Sequence, residues 1–112
     1  MPTVNIFYKD LGKETGLQLL VDGLKDCIAQ ELTCGDIKLK PSEISIRLIK
    51  INGGEMIGAV EVEIVAHFFT ERIKNQDEIC LKIMDYIHKE NPSLGEVKVW
   101  LQLSELGHSW KE

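Results

Sequence analysis

The residue with the most distinctive chemical potential is Pro2, which directly follows the initiator Met1. Methionine is commonly removed ahead of a residue as small as proline, and its removal would leave a free secondary amine. Strand-forming residues follow over Thr3–Tyr8, and proline is tolerated at a strand's first position because that residue need not donate to the ladder. An amine held on the backbone of a buried strand end needs no side-chain ordering before it acts as a base. Met-Pro is also an ordinary opening without any chemical role.

Composition restricts the class of protein. The chain has 112 residues, 44% of them hydrophobic and 28% charged, which is typical of one soluble globular domain. A net charge of −5 with no basic run argues against nucleic-acid binding. No apolar stretch approaches the ~20 residues of a membrane span, and no signal peptide is present, so we expect a cytoplasmic protein. Cys27, Cys34 and Cys80 lack metal-ligand spacing, so we expect structural thiols and neither a metal nor a cofactor.

Hydrophobic periodicity predicts the order strand-helix-strand twice. We expect strands at residues 3–8, 44–51, 60–69 and 97–103, and helices at 16–32 and 71–89. Thr15 is the expected N-cap of the first helix and Gly35 its C-terminal glycine, while Gly23 inside it marks close packing. Arg72 and Lys74, at the start of the second helix, are expected on the surface.

The two halves, near residues 2–51 and 58–104, have matching lengths within a single domain over 1–112. Each half is long enough for a right-handed parallel crossover. The pattern therefore predicts an α+β fold in which two βαβ units form a four-stranded mixed sheet with both helices on one face. The other face would be buried against further subunits. A ferredoxin-like split βαβ sheet and the double βαβ sheet of the tautomerases share this order, and the pattern does not separate them.

The segment Pro41-Ser42-Glu43-Ile44-Ser45-Ile46-Arg47-Leu48-Ile49 resembles the second strand of 4-oxalocrotonate tautomerase, with Arg47 at the position of an arginine there. Together with Pro2, this makes the chain resemble the tautomerase superfamily. Its length and double βαβ order are similar to the longer members, of the 5-carboxymethyl-2-hydroxymuconate isomerase and macrophage migration inhibitory factor type. The resemblance implies a homotrimer with its helices outside and Pro2 as the general base.

The implied function is keto–enol tautomerisation of small carboxylate-bearing enols or unsaturated 2-keto acids, without a cofactor. Arg47 would bind the substrate carboxylate or polarise its carbonyl group. The resemblance adds Lys40, near a pocket lysine of the cytokine-type members, and Trp100 as a pocket wall. Each has a simpler interpretation: an ion pair of Arg47 with Glu43, Glu61 or Glu63, a solvated charge at Lys40, and packing at Trp100.

The sequence also departs from the superfamily pattern. The short enzyme has an arginine just after its first strand, where this chain has Lys9-Asp10-Leu11-Gly12-Lys13, so only a lysine is available as a substitute. The tyrosine and asparagine of the cytokine's last strand fall at Lys98 and Trp100. These departures leave open a tautomerase-fold trimer that has lost or changed its activity. A separate alternative is a ferredoxin-like regulatory module that binds a small molecule between subunits without catalysis.

Overall fold

A computed structural model describes residues 2–9, 14–33 and 38–105. Within them lie four strands and three helices: β1 (Thr3–Tyr8), α1 (Glu14–Leu32), β2 (Ser45–Lys50), β3 (Val60–His67), α2 (Thr70–Lys74), α3 (Gln76–Glu90) and β4 (Val97–Ser104). Short 3-10 turns at Pro41–Glu43 and Pro92–Leu94 precede β2 and β4. Among the described residues, no helix has the length and hydropathy needed to cross a membrane.

The four strands form one sheet in the order β2-β1-β3-β4. β1 runs parallel to β2, β3 runs parallel to β4, and the two pairs meet through an antiparallel β1–β3 ladder. The parallel strands of each unit are direct neighbours, whereas a split βαβ unit has another strand between them. The expected α+β fold, with a four-stranded mixed sheet and its helices on one face, is therefore confirmed, and the ferredoxin-like alternative is wrong.

Alternation along the strands separates the two faces of the sheet. Val4, Ile6 and Tyr8 of β1 are buried beneath the helices, whereas Thr3 and Asn5 lie on the opposite, helix-free face, here called the open face. The helices cover the buried face with apolar side chains at helical spacing. The main contributors are Leu20, Leu24, Ile28, Ala29 and Leu32 from α1 and Ile79, Ile83 and Ile87 from α3.

The helices differ in detail from the sequence prediction. The second helix is interrupted at Asn75, whose side-chain Nδ2 donates to the Glu71 carbonyl at 3.0 Å. Asparagine is a poor residue for a helix interior, because its side chain can bond to nearby backbone groups in this way. Ile73, in the short segment before the interruption, is 41% exposed. Thr15 lies inside α1 rather than before it, and Gly35 falls outside the described residues. Gly23 is confirmed as a close-packing position, since a Cβ there would collide with the Tyr86 hydroxyl.

The expectation that Arg72 lies on the surface is wrong, since its side chain is only 3% exposed. Its Nε donates to the Leu32 carbonyl at 2.9 Å, and its Nη1 donates to the His67 carbonyl at the same distance. The guanidinium also lies 4.8 Å from the centre of the Phe69 ring. Arg72 thus satisfies a carbonyl at the C-terminus of α1 and ties that helix end to the end of β3.

We expect Arg72→Met to lower the free energy of unfolding by about 2–5 kcal/mol, because it leaves a buried and a part-buried carbonyl without these donors while keeping an apolar stem. Urea unfolding would measure the loss. Lys74→Met, on the exposed side of the same helix, is the matched control and should change stability by less than about 0.5 kcal/mol. Equal stability of the two variants would contradict this role for Arg72.

Candidate active site

Pro2 lies where the parallel strands β1 and β2 begin. Its side chain is buried, and its carbonyl accepts a hydrogen bond from the Ser45 backbone N–H at 3.3 Å. The register then pairs Thr3 with Ser45 and Asn5 with Arg47. Along β2, Arg47 is therefore three residue positions beyond the level of Pro2, and the Cα atoms of Pro2 and Arg47 lie about 11 Å apart. That separation leaves room for a small organic acid between the Pro2 nitrogen and the Arg47 guanidinium.

Arg47 does not form the ion pair that was the simpler interpretation. Each carboxylate considered as its partner accepts a different hydrogen bond: Glu43 from the Lys40 backbone at 3.2 Å, Glu61 from the Ile57 backbone at 2.9 Å, and Glu63 from Asn5 Nδ2 at 3.0 Å. Within the described ranges, no carboxylate oxygen lies within 4.0 Å of the exposed Arg47 guanidinium. Arg47 is therefore available to an incoming anion.

An open groove of about 530 Å³ runs along β2 beside Arg47. Of the described residues, two cations, three residues with a hydroxyl group and two isoleucines line it, and none of these seven is acidic. They are Thr3, Lys25, Ser42, Ile44, Ser45, Ile46 and Arg47. In a chain with a net charge of −5, this groove reverses the prevailing sign, which favours an anionic ligand.

The register of the sheet places four side chains in one row across the open face: Arg47, Asn5, Glu63 and Trp100. The carboxylate of Glu63 is a hydrogen-bond acceptor, so it fixes Nδ2 of Asn5 toward β3. The Asn5 Oδ1 is buried, and no donor among the described residues reaches it. A buried amide oxygen of this kind calls for a donor, which a subunit or water covering the open face would supply.

The structure does not bring all the predicted site residues together in one chain. Trp100, 46% exposed on β4, lies three strand spacings from Arg47, or about 14 Å across the sheet. Lys40 is exposed just before the turn that leads into β2, but it does not line the groove. Lys9 follows the far end of β1, about 23 Å from Pro2, where its Nζ donates to the Gly54 carbonyl.

Other nucleophiles and metal sites find little support in the described part of the chain. Burial, reinforced by the charge of Glu31, raises the pKa of the Cys27 thiol to about 11. Burial also raises the pKa of the Cys80 thiol, with a further contribution from Asp77. Both thiols are thus protonated at neutral pH and poor nucleophiles. No group of three or more His, Cys, Asp or Glu side chains is placed there to hold a metal ion.

Two residues at this site were missed by sequence reasoning, Lys25 and Asn5. Lys25 lies beside the apolar stripe of α1, and its position against β2 depends on how the helix packs across the sheet. Asn5 occupies a polar position of an alternating strand, which is the pattern of any half-buried strand. Neither carries a signal in its spacing that separates it from a solvated side chain.

Solved structures with the same fold span nearly the whole chain. The crystal structure of a 5-carboxymethyl-2-hydroxymuconate delta-isomerase superposes with a TM-score of 0.66 and 12% identity, covering 100% of this chain and 87% of that one. A macrophage migration inhibitory factor-like protein from Entamoeba histolytica superposes with a TM-score of 0.62 and 9% identity, covering 94% of this chain and 88% of that one. A fused wild-type 4-OT, solved as an asymmetric trimer, superposes with a TM-score of 0.63 and 14% identity, covering 95% of this chain and 91% of that one.

Comparison of sequences adds no relative, because no protein-family model and no curated protein matches the chain. The resemblance predicted from Pro2 and the second strand is confirmed at the level of the three-dimensional structure. This chain has the fold of the tautomerase superfamily.

Proposed function

We propose that the protein is a keto–enol tautomerase of small carboxylate-bearing enols or unsaturated 2-keto acids. Pro2, freed by removal of Met1, is the general base, and Arg47 binds the substrate. The observation that carries the proposal is the placement of an exposed Arg47, without a carboxylate within 4.0 Å among the described residues, on the strand paired with the one that Pro2 begins. The structural likeness to an isomerase supports the same class of reaction.

The chemistry needs a base that is neutral at physiological pH. An α-amine has an ordinary pKa of about 7.7–8.0, and a proline amine tends higher. We expect burial of the strand end and the positive charge of Arg47 to lower the pKa of the Pro2 amine, because both disfavour its protonated form. The neutral amine takes a proton from the enol hydroxyl and the resulting ammonium returns one to carbon. Arg47 meanwhile stabilises the negative charge that develops on the substrate oxygen.

We further propose that the protein is a homotrimer with its open faces turned inward. Trp100 is too far from Arg47 to wall the same pocket within one chain, but a Trp100 from a neighbouring subunit could do so. The open face also holds the Asn5 Oδ1, which no donor among the described residues reaches and which subunit contact would satisfy. The fused 4-OT with the same fold is a trimer, in line with this arrangement. Lys40, at the Pro2 end of the sheet, stays a candidate for a second substrate contact.

The test is ultraviolet-monitored tautomerisation of phenylenolpyruvate and 2-hydroxymuconate by untagged protein whose loss of Met1 is verified by mass spectrometry. We expect both enols to be converted faster than in buffer, with a rate that increases with pH as the Pro2 amine is deprotonated. Folded, Met1-free protein that leaves both rates at the buffer value would contradict the proposed function and favour a binding protein without catalysis.

A further inference from the structure

The groove beside Arg47 contains a second cation, Lys25 of α1, to which nothing so far gives a role. Lys25 is half-buried and follows Leu24, which is fully buried in the core, so the backbone of α1 holds it in place. Within the described residues, no carboxylate oxygen lies within 4.0 Å of its Nζ. A half-buried ammonium without a neighbouring counter-ion favours an anion that arrives from solution.

The groove passes around the free edge of β2, with Lys25 and Arg47 on different sides of that strand. Arg47 lies on the open face, whereas Lys25 comes from the helix layer. Because the Ser45 N–H bonds to Pro2, the main-chain groups of the next residue, Ile46, face away from β1. The Ile46 N–H is therefore a further donor on the path between the two cations.

We propose that Lys25 binds a second anionic group of the substrate and makes the site selective for doubly charged over singly charged acids. This inference rests on the proposed function, because it places the first carboxylate on Arg47 beside Pro2. The hydroxyl groups of Ser42 and Ser45 line the groove with the two cations and add neutral donors for the same ligand. Since none of the described lining residues is acidic, a doubly charged ligand meets attraction at both ends.

The first measurement compares kcat/KM for 2-hydroxymuconate, which carries two carboxylates, with that for phenylenolpyruvate, which carries one. We expect Lys25→Met to lower kcat/KM for the doubly charged enol roughly 10-fold, through KM, and to change the value for the singly charged enol less than about twofold. Lys50→Met is the matched control, because Lys50 is an exposed lysine of β2 outside the groove. Equal losses for both enols, or the same selectivity change in Lys50→Met, would overturn the proposal.

A binding measurement separates this inference from the proposed function. trans,trans-Muconate and sorbate share a six-carbon diene, and only muconate carries the second carboxylate in place of a methyl group. By calorimetry we expect the wild-type protein to bind muconate roughly 10-fold more tightly than sorbate, and Lys25→Met to abolish that preference. Loss of the preference in the variant would support Lys25 even in a protein that turns over no enol. An unchanged preference in Lys25→Met would overturn the role of Lys25 and leave the proposed function intact.

Discussion

A short extension ahead of Pro2 is expected to lower kcat/KM by about 10²–10⁴-fold, the range that a general base contributes. Any preceding residue converts the secondary amine into an amide, which has no basic nitrogen. The fold should tolerate the extension, since the Pro2 carbonyl that bonds to Ser45 stays in place. Tautomerisation by Gly-Ser-extended protein, compared with Met1-free protein of equal helical content, provides the measurement.

The Pro2→Ala protein is the informative companion to the extended protein. It keeps a terminal amine at the same place but loses the ring that fixes the backbone, so we expect an intermediate rate. The order wild type, then Pro2→Ala, then extended protein distinguishes loss of geometry from loss of the amine. An extended protein with the wild-type rate would remove the Pro2 nitrogen from the mechanism.

Arg47→Ala is expected to lower kcat/KM by about 10²–10³-fold, the usual cost of removing a donor that stabilises developing negative charge. It also removes a positive charge from the strand paired with the one that Pro2 begins, so the rise of kcat/KM with pH should shift to higher pH. Arg47→Lys should recover part of the rate, because an ammonium keeps the charge without the two-pronged geometry of guanidinium. Steady-state kinetics of the three proteins across pH would show both effects.

The control for Arg47 is Lys50→Ala, which removes a cation from the same strand outside the groove. If the two alanine variants lost equal activity, only the net charge would matter and Arg47 would have no specific role. A lower kcat/KM in Arg47→Ala with an unchanged pH dependence would support the role of Arg47 in substrate binding. It would contradict the proposed effect of Arg47 on the pKa of the Pro2 amine.

The fold was predictable from the sequence because its main signal is periodicity. Period-two alternation marks strands such as β3, and the apolar stripe of α1 marks the helix that covers them. The order of the strands within the sheet was not predictable, since two architectures share the same order of helices and strands along the chain. Which strands pair depends on contacts between residues far apart in the chain. The ladder that joins Thr3 to Ser45 decides between those architectures.

Arg72 shows why single charged residues are harder to predict than elements. Its place in a short polar segment is typical of a surface residue, but the carbonyls of Leu32 and His67, at the ends of α1 and β3, require donors where these ends meet. That need arises only after the elements have packed. Lys25 follows the same logic, since only the packing of α1 beside β2 brings it to the groove of Arg47.

The ion pair considered for Arg47 does not form, and the reason again lies in contacts that the sequence does not reveal. Sequence alone offered three nearby acids, but each of them accepts a hydrogen bond from a different group. Glu61, for example, takes backbone donors from the link between β2 and β3. The three carboxylates thus bond to other donors, and Arg47 stays exposed beside the groove.

The most direct test of the central claim is the pKa of the Pro2 amine, since it requires no knowledge of the physiological substrate. Protein labelled with ¹⁵N-proline and freed of Met1 can be titrated by NMR, and only Pro2 of the three prolines carries a titrating amine. We predict a midpoint below about 8, lower than that of an ordinary proline amine, and a higher midpoint in Arg47→Ala. A midpoint at the ordinary value, unaffected by Arg47→Ala, would contradict a neutral proline base held beside a cation.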